Sequence, residues 1–174
     1  LEIGSNKDIY EGITNGWYFS PAGGGANYLP QREQPKTPVT FDNTGSTTGY
    51  GPFIDLVLPT IGPAGAGGAA DDGTPFVSAT YLGAPVVATV LTFDASGNVT
   101  HPYARTTAGA PVVVTGGTPG NQLVVLQLPF GSFTATQPAA AIQVTTTLST
   151  LADANVALNI SARGGFQYGA DPLD

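Results

Sequence analysis

The chain has 174 residues, 41% of them apolar and 10% charged, with a formal net charge of −7. That is enough for a single domain with a core of its own. With no Cys and one His (His101), thiol chemistry, Cys-ligated metals and multi-His metal sites are excluded. Five scattered basic residues cannot neutralise a phosphate backbone, and no apolar run approaches the ~20 residues of a helical span, so neither nucleic acid nor a membrane span is expected.

Residues 1–36 stand apart from the rest. They hold all three Glu and both Lys, and Trp17-Tyr18-Phe19 precedes Ser20-Pro21-Ala22-Gly23-Gly24-Gly25. This pattern predicts an extended N-terminal arm with an aromatic anchor and a flexible joint, followed by a body over 37–174. The chain begins at Leu1 and contains no Met, which reads as a processed product or an excised piece.

The body is rich in β-branched residues, Thr above all, and no stretch shows a 3.6-residue period with good caps. Strands are predicted over 38–41, 53–58, 76–82, 85–93, 98–103, 111–115, 122–128, 142–148 and 156–162. The nearly continuous apolar runs at 53–58 and 123–128 suit central, buried strands. Ile142–Leu148 and Val156–Ala162 alternate and suit half-buried antiparallel strands. Asp94-Ala95-Ser96-Gly97-Asn98 reads as a hairpin loop with Gly97 at positive φ, and Gly116–Asn121 as a second turn. Residues 59–75 form a long Gly/Ala-rich loop. Eight or nine short strands with turns between them predict an all-β antiparallel sandwich.

Two motifs carry a resemblance. Asn43-Thr44-Gly45 follows one strand, and Leu58-Pro59 closes the next. With Leu126–Phe133, Ile142–Leu148 and Val156–Ala162, they resemble the immunoglobulin-like repeats of large bacterial and archaeal cell-surface proteins over about residues 37–163. The resemblance implies an Ig-like β-sandwich, an adhesive or scaffolding role and no catalytic residues.

The reactive residue types point the same way. Of the nine Asp, Asp42, Asp72 and Asp171 adjoin Asn, Gly or Pro and Asp94 opens a Gly-containing loop, where carboxylates act as turn acceptors rather than as a glycosidase pair. His101 precedes Pro102 without a Gly-x-Ser-x-Gly elbow and reads as a surface histidine. The Gly-rich stretch at 62–73 has no Lys and ends in Asp71-Asp72, which repels phosphate. No cofactor is expected, these acidic loops being solvated; the alternative is calcium, with Asp42, Asn43, Asp55, Asp71 and Asp72 as candidate oxygen ligands, although EF-hand and RTX spacings are absent. Asn98-Val99-Thr100 and Asn159-Ile160-Ser161 match the N-glycosylation triplet.

The expected function is therefore a non-enzymatic extracellular structural or adhesion domain at the cell surface, with neighbouring copies or repeats of the same protein as partners. One alternative is a self-assembling subunit of an extracellular filament or surface layer, using the arm near Ile9–Phe19 as a donated strand. Another is a carbohydrate-binding module that stacks aromatics on glycans.

Overall fold

A computed structural model describes residues 34–62, 72–149, 152–153 and 157–168. Residues 1–33 of the expected arm and 63–71 of the long loop lie outside the described residues. The regular elements described are eleven strands: β1 (Lys36–Phe41), β2 (Gly49–Leu58), β3 (Phe76–Tyr81), β4 (Ala84–Pro85), β5 (Val87–Thr92), β6 (Val99–Arg105), β7 (Pro111–Val114), β8 (Gln122–Gln127), β9 (Ser132–Phe133), β10 (Ala140–Thr146) and β11 (Ser161–Tyr168). The all-β expectation holds, and every strand pairing is antiparallel.

The strands form two main sheets, β1-β10-β3-β4 and β11-β2-β8-β5, with β9 pairing the start of β2. The chain crosses between sheets at most connections, so sheet neighbours are distant in sequence: Lys36 pairs Thr145, and Val57 pairs both Ser161 and Leu123. Strand β6 leaves the sandwich and pairs β7 as a separate ribbon.

The core follows from side-chain alternation along β2 and β8. Ile54, Leu56 and Leu58, with Val124 and Leu126, face the other sheet and meet Phe41, Ile142 and Val144. The alternate residues Phe53, Leu123 and Val125 form a second cluster with Phe93, covered by Val99, Tyr103 and Val114 of the β6–β7 ribbon. Burial on both faces explains why 53–58 and 123–128 are nearly unbroken apolar runs. Rings close one flank of the main core. Phe166, Phe41, Phe133, Phe130 and Tyr81 succeed one another edge to face, with centroids 5.1–5.6 Å apart.

Three elements differ from the sequence reading. The last strand is Ser161–Tyr168, not 156–162. Ala157–Ile160 lie before it, with Ile160 packed against the core. The register instead places Gly164 and Gly165 opposite Ile54 and Phe53. A Cβ on Gly164 would stand 2.8 Å from the Phe41 ring, and one on Gly165 would stand 2.6 Å from the Phe53 ring. The strand is glycine-rich because aromatic rings occupy the space its side chains would need. Second, β2 begins at Gly49 rather than Phe53. It bends at Gly51 (φ +59), whose N–H donates to Gly131 O. Third, the Asp94–Asn98 turn forms as expected, with Gly97 at φ +72, but β5 and β6 diverge into different sheets after it.

The β3–β4 turn carries a local strain. Leu82 (φ +49) and Gly83 (φ +83) both have positive φ, the pattern of a type I′ turn, in which Asn or Gly is favoured at the first position. Leu82 is also 87% exposed, so its side chain gains little from burial. Leu82→Asn is expected to stabilise the fold by about 1 kcal/mol. Leu56→Ala, in the fully buried core, is expected to cost about 2–5 kcal/mol. Urea unfolding of both variants checks the pair of signs; a destabilised Leu82→Asn would contradict the turn geometry.

Candidate functional site

The single histidine lies inside the protein. His101 is 2% exposed, which corrects its reading as a surface residue. The local cause is Pro102. Proline has no N–H to give a ladder, and the β6–β7 register, in step at Val99↔Val114 and Thr100↔Val113, shifts before resuming at Arg105↔Pro111. The irregular segment 101–104 turns the imidazole towards β2. There His101 Nε2 lies 2.9 Å from Asp55 Oδ1.

The backbone N–H groups freed by this irregularity also serve the ring. Tyr103 N–H and Ala104 N–H both donate to His101 Nδ1, at 3.0 and 2.7 Å. With Nδ1 accepting twice, Nε2 is the nitrogen that carries hydrogen and donates to Asp55. The ring of Phe53 lies 5.0 Å from the imidazole and that of Tyr103 lies 6.2 Å from it. The arrangement has the outline of a His–Asp dyad without its working lone pair. A general base must turn an unshared nitrogen lone pair towards a substrate proton, and here that lone pair receives two main-chain donors. The pair instead ties the β6–β7 ribbon to the central sheet.

The candidate calcium ligands that the structure describes have different environments. Asp42 is exposed just after β1. Asn43 is buried, and its side chain is fully engaged. Its Nδ2 donates to Thr47 O (2.8 Å) and Phe133 O (2.9 Å), while Oδ1 accepts from Gly45 N–H (3.0 Å). Asn43-Thr44-Gly45 is thus an Asx turn that fastens the end of β1 to β9. Asp55 is held by His101. Asp71 lies outside the described residues. Asp72 is 2% exposed; its Oδ1 accepts from Asp153 N–H at 2.6 Å, and its Oδ2 is buried without a hydrogen-bond partner among the described residues. Among the described residues, no three His, Asp or Glu side chains converge.

Of the aromatics that could stack on a sugar, Tyr81 packs on Phe130 and Tyr103 on Phe53, whereas Trp17, Tyr18 and Tyr28 lie outside the described residues. Asn159 is exposed ahead of β11, and Asn98 is half-buried in the turn shaped by Asp94. The His101–Asp55 pair left one signal in the sequence. Asp55 is the only charged residue in the run Phe53–Leu58, and a carboxylate inside a two-sided strand needs a partner. Comparison with protein-family models, curated proteins and solved structures returns no match.

Asp55→Ala strands a buried ring N–H and is expected to cost about 1–3 kcal/mol in urea unfolding. Asp55→Asn, which can still accept that hydrogen bond, is expected to cost less. Long-range ¹H–¹⁵N spectra are expected to show hydrogen on Nε2 and none on Nδ1 of His101; the reverse tautomer would contradict the geometry.

Proposed function

We propose that this chain is a non-enzymatic structural or adhesion domain of an extracellular surface protein, Ig-like in kind. The observation that carries this reading is the use made of His101 and Asp55. The chain's one imidazole and the carboxylate beside it spend their hydrogen bonds holding two layers of strands together. Asn43 and Asp94 are likewise committed to turns, Asp94 accepting from Ser96 N–H and Asn98 N–H. Composition supports the same setting, since a Thr- and Gly-rich chain with few Lys and Glu suits an exported wall or filament protein.

Calcium enters this reading at Asp72, whose Oδ2 is, among the described residues, the one buried candidate-ligand atom without a hydrogen-bond partner. A hard cation would satisfy it, with further oxygens from backbone carbonyls and water.

Antibodies raised against the purified chain are expected to label intact, unpermeabilised cells of the source organism. Label that appears only after permeabilisation would overturn the extracellular setting. Calcium is expected to raise the thermal midpoint of the native chain and to leave Asp72→Asn, which keeps the Oδ1 acceptor, unmoved. A native midpoint indifferent to calcium and to chelator would remove the ion from the proposal.

A further inference from the structure

Sheet edges carry unpaired backbone groups, and folded proteins blunt them with charge, proline, glycine irregularities or shortness. Four of the strand edges described here are blunted in these ways. Strand β1 carries Lys36 and Pro38. Strand β11 carries Arg163 and Gly164-Gly165. Strand β4 has two residues and ends in Pro85, and β7 has four and begins with Pro111. Strand β5 differs from all of them. Its six residues, Val87-Ala88-Thr89-Val90-Leu91-Thr92, include no charge, proline or glycine. Its register with β8 runs unbroken from Val87↔Gln127 to Thr92↔Gln122. It ends the β11-β2-β8-β5 sheet, and among the described residues it pairs β8 alone. Val87 is 63% exposed and Val90 is 44% exposed.

We propose that the open edge of β5 accepts residues Ile9–Phe19 of a second copy of this chain as an added strand. The donor segment, Ile9-Tyr10-Glu11-Gly12-Ile13-Thr14-Asn15-Gly16-Trp17-Tyr18-Phe19, is rich in β-branched and aromatic residues, and Gly23-Gly24-Gly25 separates it from the body. Thirty-three residues precede the described body, and an extended chain covers up to about 3.3–3.6 Å per residue, so the reach to a neighbouring molecule is ample.

The topology selects a neighbour over the same molecule. The arm enters the body at Lys36, the start of β1, and the far end of β1 packs on β11, where Phe41 meets Phe166 at 5.6 Å. Strand β5 lies at the opposite end of the sheet order from β11. One route for an arm returning to its own β5 crosses the outer face of the β1-β10-β3-β4 sheet. Lys36, Pro38, Thr40, Gln143 and Ser78 are exposed along that face and offer little apolar surface to hold it. Donor and acceptor at opposite ends make a head-to-tail contact, which extends into open chains or closes into rings of several copies. Main-chain ladder bonds would supply the affinity, and Val87 and Val90 the apolar contact.

This inference deepens the structural reading above and rests on it for its setting. The experiment uses the purified 174-residue chain, so its failure leaves the cell-labelling result standing. Sedimentation velocity across a concentration series is expected to show head-to-tail association of the native chain. Association is expected to be lost both in Val87→Lys/Val90→Lys and in Ile13→Pro, with thermal midpoints unchanged. The absence of Cys makes introduced thiols unique. A mixture of Thr89→Cys chains with chains bearing Cys in place of Ile9, Tyr10, Ile13 or Thr14 is expected to form disulfide-linked heterodimers under mild oxidation. A native chain that stays monomeric overturns the proposal. So does association that survives the β5 substitutions, or a chain carrying both Thr89→Cys and Ile13→Cys that forms only an intramolecular disulfide.

Discussion

Burial of the β2–β8 pair on both faces is the constraint on which the rest of this structure depends. A sandwich strand ordinarily has one wet face and one dry face. Here Ile54, Leu56 and Leu126 face one layer of strands, and Phe53, Leu123 and Val125 face another. Once the second face is dry, any polar residue on it must find a partner within the protein. Asp55 is that residue, and His101 is that partner. The β6–β7 ribbon therefore serves as a third layer fastened by an internal hydrogen-bonded pair.

That pair shows how local irregularity is turned to structural use. Pro102 breaks the ribbon's ladder, and the two N–H groups it frees would be costly if buried alone. The imidazole accepts both through Nδ1 and spends its own N–H on Asp55. The fixed tautomer, the ribbon's irregular register and the attachment of the third layer are one feature seen at three scales. Asn43 plays a comparable part at the end of β1, where one side-chain amide closes its own turn and reaches across the sequence to Phe133 O.

The outer boundary of the sandwich carries the functional contrast. The edges at β1, β4, β7 and β11 bear the residues by which natural sheets discourage pairing, and β5 does not. A domain whose His101, Asp55 and Asn43 are committed internally, and whose β5 edge lacks such residues, is suited to association through backbone. This agrees with a composition poor in the charged groups that drive most side-chain recognition.

Sequence alone determined the all-β class, most of the strands, the buried character of 53–58 and 123–128, and the turn at Gly97. Each depends on short-range alternation or on the conformational freedom of one residue. It misplaced the last strand, because alternation at 156–162 favours a strand as strongly as Gly164-Gly165 disfavours one. Only the facing rings of Phe41 and Phe53 explain why glycines occupy that strand. It likewise took His101 for a surface residue, since the residues that bury it lie on β2, some fifty positions away in the chain. Only the tertiary structure, with its sheet-crossing connections, decides such matters: which of a strand's two faces is dry, and which polar groups must therefore meet.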